Sequence, residues 1–545
     1  MLQQDRSLAH AGSPVRQGGD RRLPVRATIG SMLATLIAFG TTAHAAGGYE
    51  WPVWGGSISG KSSAQTETTI SPATVSALKP KWVFASHGDI TSTPTVDGDY
   101  MYVNDWAGYI FKIRRADGSA VWERKLSDLT GNLFSLSRNS PAITSTSLIF
   151  GDRASAQVLS LDKVTGQLQW KVNIDTDGKG LITSSPMVYN GVAYVGVASL
   201  GEATIVFDGV RNTVFRGSVW ALDLNNNGAE LWHHNTAPPG YTGAGVWSSP
   251  IVVDPARQSI YVTTGDNITV PAPVAACLNA IPGNQNWSDP ATLARQLTCL
   301  DPEDYVDAIV AFDMKTGKTR WSQRMMGADS WNAFCVANVK AGCPFKGVDW
   351  DFGSGPNLID TVIRGQHRQL LGAGQKNGYY WALDPDNGAI IWSNAAGPPT
   401  LFGGIHWGTA TDDKRVYVPE SNASSQAVTL TDGSRWSGAY WAALDAATGK
   451  TLWQNKAIQP GWFGPQAASI DGALTVANGV LFGGMNNGDF IAMDAGTGKE
   501  LWRFASGGSV LGAPSVVDGE VYWGTGYYLG KSSHQLYAFQ LKAAP

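Results

Sequence analysis

Acidic residues that stand apart from any repeated segment offer the first chemistry in this chain of 545 residues. Asp349 and Asp351 flank a tryptophan in the segment VDWDF, and Glu202 ends the segment GVASLGE. A carboxylate in a site that excludes water can act as a general base, and two carboxylates that face one cleft can hydrolyse a glycosidic bond. Asp266 and Asn267, adjacent in TGDN, offer hard oxygen ligands of the kind that suits Ca²⁺.

Three further residues have side chains suited to holding a ligand. Trp247, in GAGVWS, lies outside the tryptophan repeat described below, and an aromatic ring provides a large contact area at low entropic cost. Arg138, in SRNSP, can pair bidentately with a carboxylate. His406, in GGIHW, can donate a hydrogen bond. A packing tryptophan, a surface cation and a structural histidine are the competing interpretations.

The four cysteines indicate disulfides. Cys277, Cys299, Cys335 and Cys343 lie in the middle of the chain, with no CxxC motif and no histidine at ligand spacing. An even count in an exported protein suggests disulfides, and the local pairing of 277 with 299 and 335 with 343 is the simplest of three connectivities. The sequence contains no CxxCH segment for attaching a c-type haem.

The elements that would position these residues are indicated by the composition. The chain contains 22 Trp and 64 Gly, and only 15% of its residues are charged. Many aromatic residues and glycines with few lysines and glutamates are typical of short strands joined by tight turns. The formal net charge of −4 argues against a surface for nucleic acids.

The tryptophans mark a repeat, in which an apolar strand ends in Asp, a turn contains Gly, and a short strand ends in Trp. Examples are LSLDKVTGQLQW, VAFDMKTGKTRW and IAMDAGTGKELW. Asp bonds its own backbone in such a turn, and Gly supplies the positive φ. Seven tryptophans end such units: Trp122, Trp170, Trp232, Trp321, Trp392, Trp453 and Trp502. A second hairpin precedes each unit, so each repeat offers about four strands, as in a propeller blade.

The two ends of the chain complete the architecture. QLYAFQL at the C-terminus has no turn and tryptophan of its own, while Trp82, in KPKWV, has no preceding hairpin. The two halves predict one split blade, which closes a ring and removes its exposed sheet edges. We therefore predict an all-β, eight-bladed β-propeller, with insertions concentrated around residues 233–390. A linear solenoid of repeats explains the split ends poorly.

The first 45 residues predict a secretory signal, followed by a single propeller domain over residues 46–545. Five arginines precede the apolar stretch ATIGSMLATLIAFG, which ends before the cleavage pattern Ala-His-Ala at residues 43–45. A membrane anchor is the weaker alternative, because about 14 apolar residues do not span about 30 Å of hydrocarbon. The mature protein is expected in the periplasm with no membrane span.

The repeat, in eight copies, resembles the pyrroloquinoline quinone (PQQ) dependent alcohol dehydrogenases. The resemblance extends from the segment WPVWG at residues 51–55 to Gln540. Within this family, SSPMVYNGVAYVGVASLGEA, CPFKGVDWDFGSGPNLI and GAGQKNGYYWALDP look most like polyvinyl alcohol dehydrogenases. Non-enzymatic propellers share the repeat, so the residues outside it must carry the function.

The resemblance implies a base and a cation site. Asp351 matches the carboxylate that takes the alcohol proton, with Asp349 as its substitute if the register of the loop differs. Glu202 matches a ligand of the divalent cation. Asp266 and Asn267 lie at the family's Asn ligand, where the sequence departs by placing Asp directly after Gly, so either side chain is a candidate. Lanthanide-using relatives carry a further Asp two residues after the base, where this chain has Gly353, which points to Ca²⁺.

The resemblance also implies a site for PQQ. Trp247 matches the tryptophan that forms the floor under the quinone, and Lys376, in GQKNG, matches a cationic residue that hydrogen-bonds the quinone oxygens. Arg138 is a candidate partner of a PQQ carboxylate. His406 stands where relatives often place an Asn that faces the cofactor. The chain lacks the adjacent cysteines that roof the cofactor in some relatives.

These matches predict a quinoprotein dehydrogenase that oxidises polyvinyl alcohol or another primary or secondary alcohol to a carbonyl. With no haem segment, its electrons would pass to a separate acceptor, a periplasmic cytochrome c. Two alternatives belong to other classes: a non-catalytic propeller scaffold, such as an outer-membrane assembly factor, and a polymer or carbohydrate hydrolase that uses Asp351 with Glu202.

Overall fold

A computed structural model describes residues 50–541 except 176–177, 209–213, 338, 340–341, 401–402, 459–469 and 528–529. The predicted signal segment lies outside the described residues. In the part of the chain that is described, eight four-stranded antiparallel sheets form an eight-bladed β-propeller, which confirms the predicted fold. Two of the sheets gain a fifth, short strand from the N-terminal segment.

We number the blades from 1 to 8 in chain order. The strands of blades 1 to 4 are Thr95–Asp97, Tyr100–Asn104, Tyr109–Arg114 and Ala120–Lys125; Ala142–Ile143, Ser147–Gly151, Gln157–Asp162 and Leu168–Asn173; Met187–Tyr189, Val192–Val197, Ser218–Asp223 and Ala229–Asn235; Val252–Asp254, Ser259–Thr263, Ala308–Asp313 and Thr319–Arg324. Those of blades 5 to 7 are Asn357–Ile363, Gln366–Gly374, Tyr379–Leu383 and Ile390–Ala395; Ala410–Thr411, Arg415–Glu420, Tyr440–Asp445 and Thr451–Lys456; Thr475–Ala477, Val480–Gly484, Asp489–Asp494 and Glu500–Ala505.

Blade 8 is the split blade that the chain ends predict. Its inner strands are Ser515–Val517, Glu520–Thr525 and Gln535–Leu541, and its outer strand is Leu78–Ala85 from near the N-terminus. Leu78 pairs with Leu541 and Ala85 with Gln535 in an antiparallel register. The short strand Glu50–Trp51 joins blade 1, and Ser63–Ala64 joins blade 7. The N-terminal segment thus closes the ring.

The repeat tryptophans join each blade to the next. Trp321 of blade 4 donates its Nε1 hydrogen to Pro385 O in blade 5, at 3.0 Å. Its ring covers Gly388 of the same turn, whose φ is +74° and where an added Cβ would lie 2.5 Å from the ring. Trp502 makes the equivalent bond to Leu78 O, at 3.2 Å, across the closure of the ring. The glycine of the repeat is therefore required both for the turn and for the tryptophan of the preceding blade.

The insertions carry the helices. Within the described residues these α-helices are Leu126–Thr130, Gly201–Asp208, Ala272–Asn279, Pro290–Leu297 and Ala333–Val336, and three-residue 3₁₀ turns are Trp54–Gly56, Val75–Ala77 and Leu224–Asn226. Two-stranded ribbons pair Thr242–Gly243 with Asn267–Thr269 and Val428–Thr429 with Arg435–Trp436. The disulfides Cys277–Cys299 and Cys335–Cys343 brace two of the insertions and confirm the predicted pairing. None of the described helices has the length and apolarity needed to cross a membrane.

Candidate active site

Asp351 lies at the centre of a cluster formed by three loops. Trp247 precedes the first strand of blade 4 and donates its indole Nε1 hydrogen to Asp351 Oδ2, at 2.7 Å. Lys376 lies in the turn between the second and third strands of blade 5, and its Nζ is 2.6 Å from Asp351 Oδ1. The same Nζ is 2.8 Å from Asp349 Oδ1. The structure therefore brings together the predicted base and its substitute with Trp247 and the cationic side chain of Lys376.

The pKa values of Lys376 and Asp349 are both raised in this cluster. Burial acts to lower the pKa of Lys376, but the neighbouring charges of Asp349 and Asp351 outweigh it and hold that pKa well above its usual range. Burial raises the pKa of Asp349, and the Asp351 charge adds to this, although Lys376 acts in the opposite direction. A single ammonium group therefore faces more negative charge than it neutralises.

Asp266 is the third carboxyl group of this cluster. One carboxylate oxygen from each of Asp266, Asp349 and Asp351 lies within 4.8 Å of the others. Asp266 Oδ2 is buried and has no hydrogen-bond partner among the described residues. Burial raises the pKa of Asp266, and the charges of Asp349 and Asp351 raise it further. Unpartnered carboxylate oxygens this close together are chemically suited to a hard divalent cation.

The two other predicted ligands differ in their placement. Glu202, in the helix Gly201–Asp208, lines the same cavity as Asp266, and burial raises its pKa to about 7. Asn267 is fully buried, is not among the residues that line the cavity, and donates its Nδ2 hydrogen to Asp304 Oδ2, at 2.8 Å. Of the adjacent pair Asp266 and Asn267, the structure therefore turns Asp266 towards the cavity. Gly265, which precedes Asp266, lets the backbone pass close to Asp351, since a Cβ at residue 265 would lie 2.9 Å from Asp351 Oδ2.

The cavity has a volume of about 410 Å³, within the range of small-molecule and cofactor sites. Its walls include three tryptophans, Trp247, Trp331 and Trp407, together with Phe215 and Leu200. The charged groups described above lie in the same cavity. An aromatic and apolar wall around a few convergent charged groups is typical of a site that holds a small molecule or a cofactor.

Arg138 also lines this cavity, and its guanidinium carbon stands 4.5 Å from the centre of the Trp407 ring. Arg153, also in the cavity wall, stacks in the same way on Trp106, at 5.1 Å. Sequence reasoning missed Arg153, Trp331 and Trp407. The two tryptophans share with Trp247 the signal of lying outside the repeat, whereas no pattern marks Arg153.

His406 packs against Trp247. Its ring meets Trp247 edge to face, with the ring centres 5.5 Å apart. The backbone of His406 bridges Gly353 in parallel, and a Cβ at residue 353 would collide with Cδ2 of the imidazole. His406 is not among the residues that line the cavity. The absence of a side chain at position 353 is therefore a packing requirement of this histidine.

The chain is similar to several alcohol dehydrogenases and, over part of its length, to an outer membrane assembly factor. A family model described as outer membrane protein assembly factor BamB matches residues 62–214 and 438–543. Polyvinylalcohol dehydrogenase from a Pseudomonas species is 28% identical over 88% of this chain and 73% of its own length. Polyvinylalcohol dehydrogenase from a Sphingopyxis species is 29% identical over 86% of this chain and 71% of its own length. The solved quinohaemoprotein alcohol dehydrogenase from Pseudomonas putida HK5 has a TM-score of 0.68 at 17% identity, over 91% of this chain and 81% of its own length.

Proposed function

We propose that this chain acts as a PQQ-dependent alcohol dehydrogenase, the family indicated by its similarity to polyvinylalcohol dehydrogenases, and that Asp351 is the general base of an alcohol oxidation with PQQ and Ca²⁺. The observation that carries the proposal is the double contact of Asp351. One carboxylate oxygen accepts the Trp247 indole hydrogen and the other faces the Lys376 ammonium, at 2.7 and 2.6 Å. A carboxyl group with two such partners is held in one orientation.

The residues of the cavity fit the two groups that the family implies. Asp266, with its unpartnered buried oxygen, together with Glu202, would hold the divalent cation. Trp247 would support the flat quinone, and Lys376 and Arg138 would meet its oxygens and a carboxylate. When bound, PQQ supplies an acceptor for the hydride removed from the alcohol carbon, and the cation polarises the quinone carbonyl.

Asp351 performs the proton chemistry in this proposal. Its carboxylate removes the hydroxyl proton of the alcohol while the carbinol carbon loses a hydride, so that the carbonyl product forms. Lys376 and the Trp247 N–H stabilise the ionised carboxylate before the transfer and fix its direction. The tryptophan-lined wall excludes water from the reacting atoms, which strengthens each of these electrostatic contacts.

The non-catalytic scaffold is less well supported. The residues that match the assembly-factor model, 62–214 and 438–543, contain propeller blades. The unmatched stretch between them contains Trp247, Asp266, Asp351 and Lys376. A scaffold gives no reason to gather four carboxyl groups and a lysine in one cavity, since buried charges without full pairing are costly.

The finer parts of the proposal concern the ion, the location and the partner. Gly353 supports Ca²⁺ rather than a lanthanide ion, because His406 fills the space that an added aspartate would need. We expect residues 1–45 to form a secretory signal and residues 46–545 to form a single domain. A secretory signal supports a periplasmic location for the enzyme. The proposal includes an electron acceptor such as a cytochrome c, and polyvinyl alcohol or a smaller alcohol as the substrate, because the chain is similar to polyvinylalcohol dehydrogenases.

The test is reconstitution of the full chain with PQQ and CaCl₂, followed by dye-linked oxidation of primary, secondary and polymeric alcohols. We expect Asp351→Asn to lower kcat by about 10²–10⁴-fold. Asp254→Asn is the matched control, since Asp254 is equally buried but binds Arg257 in blade 4. Full activity of Asp351→Asn, or no alcohol oxidation by the reconstituted parent, would refute the proposal.

A further inference from the structure

Asp329, which is fully buried and does not line the cavity, holds the backbone that leads to Asp351. Its Oδ1 accepts the N–H of Val348 at 2.8 Å and that of Asp349 at 3.2 Å. Its Oδ2 accepts the N–H of Trp350 at 2.9 Å. One carboxylate therefore binds three consecutive backbone hydrogens, and the next residue along the chain is Asp351.

The loop needs this support because its conformation is strained. Asp349 has a φ of +57°, in the left-handed region that residues with a Cβ rarely adopt. Gly347 passes so close to the carboxylate that a Cβ there would collide with Asp329 Oδ1. The turn at Asp349 is what allows Asp349 and Asp351 to reach the same Lys376 Nζ.

The backbone of Asp329 holds the other side of the cluster. Asn267 N donates to Asp329 O at 3.0 Å, and Trp331 N donates back to Asn267 O at 2.8 Å. Asp266 is the residue next to this bridge. The main chain of Asp329 is thus bonded to the segment that contains Asp266. The side chain of Asp329 is bonded to the segment that contains Asp349 and Asp351.

We propose that Asp329 is a positioning residue of the active site, which fixes Asp351 against Lys376 and Trp247 and sets its distance from Asp266. The inference rests on the proposed function, in which Asp351 is the base. An asparagine at 329 keeps the size of the side chain but replaces one accepting oxygen by an NH₂ group, which opposes at least one of the three backbone hydrogens. A displacement of about 1 Å at a reacting group can cost about 100-fold in rate.

Asp105 in blade 1 is a closely matched control. It is fully buried and also accepts three backbone hydrogens, from His87 at 3.0 Å, Gly88 at 2.9 Å and Tyr109 at 2.8 Å. It has no contact with the loop of Asp351 among the described residues. Asp105→Asn therefore imposes the same chemical change on a loop elsewhere in the propeller.

The experiment compares Asp329→Asn, Asp105→Asn and Asp351→Asn in the full chain reconstituted with PQQ and CaCl₂. For Asp329→Asn we expect kcat to fall by about 10–100-fold, with KM and the dissociation constant of PQQ changed by less than about threefold. Hydrogen exchange of a peptide that covers residues 347–351 should be faster in the same variant. Asp105→Asn should lose thermal stability to a similar extent and keep kcat within about twofold of the parent.

Three outcomes separate the inference from the function on which it rests. A kcat of Asp329→Asn within twofold of the parent, or an equal loss in Asp105→Asn, overturns the positioning role. Full activity of Asp351→Asn overturns the proposed function itself. If Asp329→Asn does not fold, Gly347→Ala perturbs the same contact, because its Cβ displaces the Asp329 carboxylate and the adjoining Ser330 backbone while every charge remains. An unchanged kcat in that variant also overturns the inference.

Discussion

Cation binding should depend on pH through Glu202. Burial raises the pKa of this carboxyl to about 7 in the metal-free protein, and the Asp351 charge contributes in the same direction. A carboxyl group must lose its proton to bind a cation, so the cation has to displace that proton at low pH. The raised pKa therefore places the loss of affinity near neutral pH rather than near pH 4, where an exposed glutamate titrates.

The magnitude follows from the ionised fraction. With a pKa of about 7, roughly 0.9 of the Glu202 carboxyl is ionised at pH 8 and roughly 0.1 at pH 6. The Ca²⁺ affinity should therefore fall about tenfold between these two values and become constant above about pH 8. The pKa values of Asp266 and Asp349 are also raised, chiefly by burial, and any proton that these groups release adds to the slope. Tenfold is thus the lower bound.

The assay is titration of the metal-free protein with CaCl₂ by isothermal calorimetry between pH 5.5 and 8.5. Glu202→Gln should weaken the binding at pH 8 by at least about tenfold and reduce the pH slope by about one proton. Glu420→Gln is the control, because Glu420 is a fully buried glutamate with a raised pKa outside the cavity. An affinity that stays constant from pH 6 to pH 8, or equal losses in the two variants, would show that Glu202 is not a ligand.

Three further predictions concern other parts of the chain. Burial raises the pKa of Glu420 well above its usual value, so the folded state keeps a proton that the unfolded state loses as pH rises. Glu420→Gln should therefore raise the free energy of unfolding at pH 8 but not at pH 4. Urea titrations should show a gain of about 1.4 kcal/mol for each unit by which the pKa is shifted. Gly353→Asp should abolish alcohol oxidation with Ca²⁺ and with La³⁺ alike, because the new side chain collides with His406, and activity with La³⁺ would contradict this reasoning. Gly388→Ala should cost about 2–5 kcal/mol of stability in thermal unfolding, since φ is +74° and the Cβ meets the Trp321 ring; an unchanged melting temperature would refute the role of the glycine.

The propeller could be predicted from the sequence because its determinants are local and repeated. Each Asp and Gly acts within its own turn, and Trp321 shows that the repeat tryptophan bonds to the corresponding turn of the next blade. The split blade could also be predicted, since the two chain ends each lack the half that the other supplies. Periodicity does not define the insertions, and none of the helices within them was predicted individually.

The site was predictable only where a residue type and its neighbours carry the information. Trp247, Asp351 and Lys376 stand in motifs outside the repeat, and the structure brings their side chains into direct contact. Whether Asp266 or Asn267 faces the cavity depends on the direction of the backbone, which the segment TGDN does not reveal. Arg153 lies after an ordinary blade strand, and its place in the cavity wall follows only from how blades 1 and 2 meet.

The charges of the site explain why the loop of Asp351 is anchored so firmly. The charged forms of Asp266, Asp349 and Asp351 would repel one another, and the described contacts of Lys376 reach only Asp349 and Asp351. A flexible loop would relieve such repulsion by moving Asp351 away, and each loss of the proposed cation would then disorder the proposed base. Three backbone hydrogen bonds to Asp329 oppose that movement. The metal-free protein can thus keep the geometry that the cation requires, so that binding does not have to order the loop.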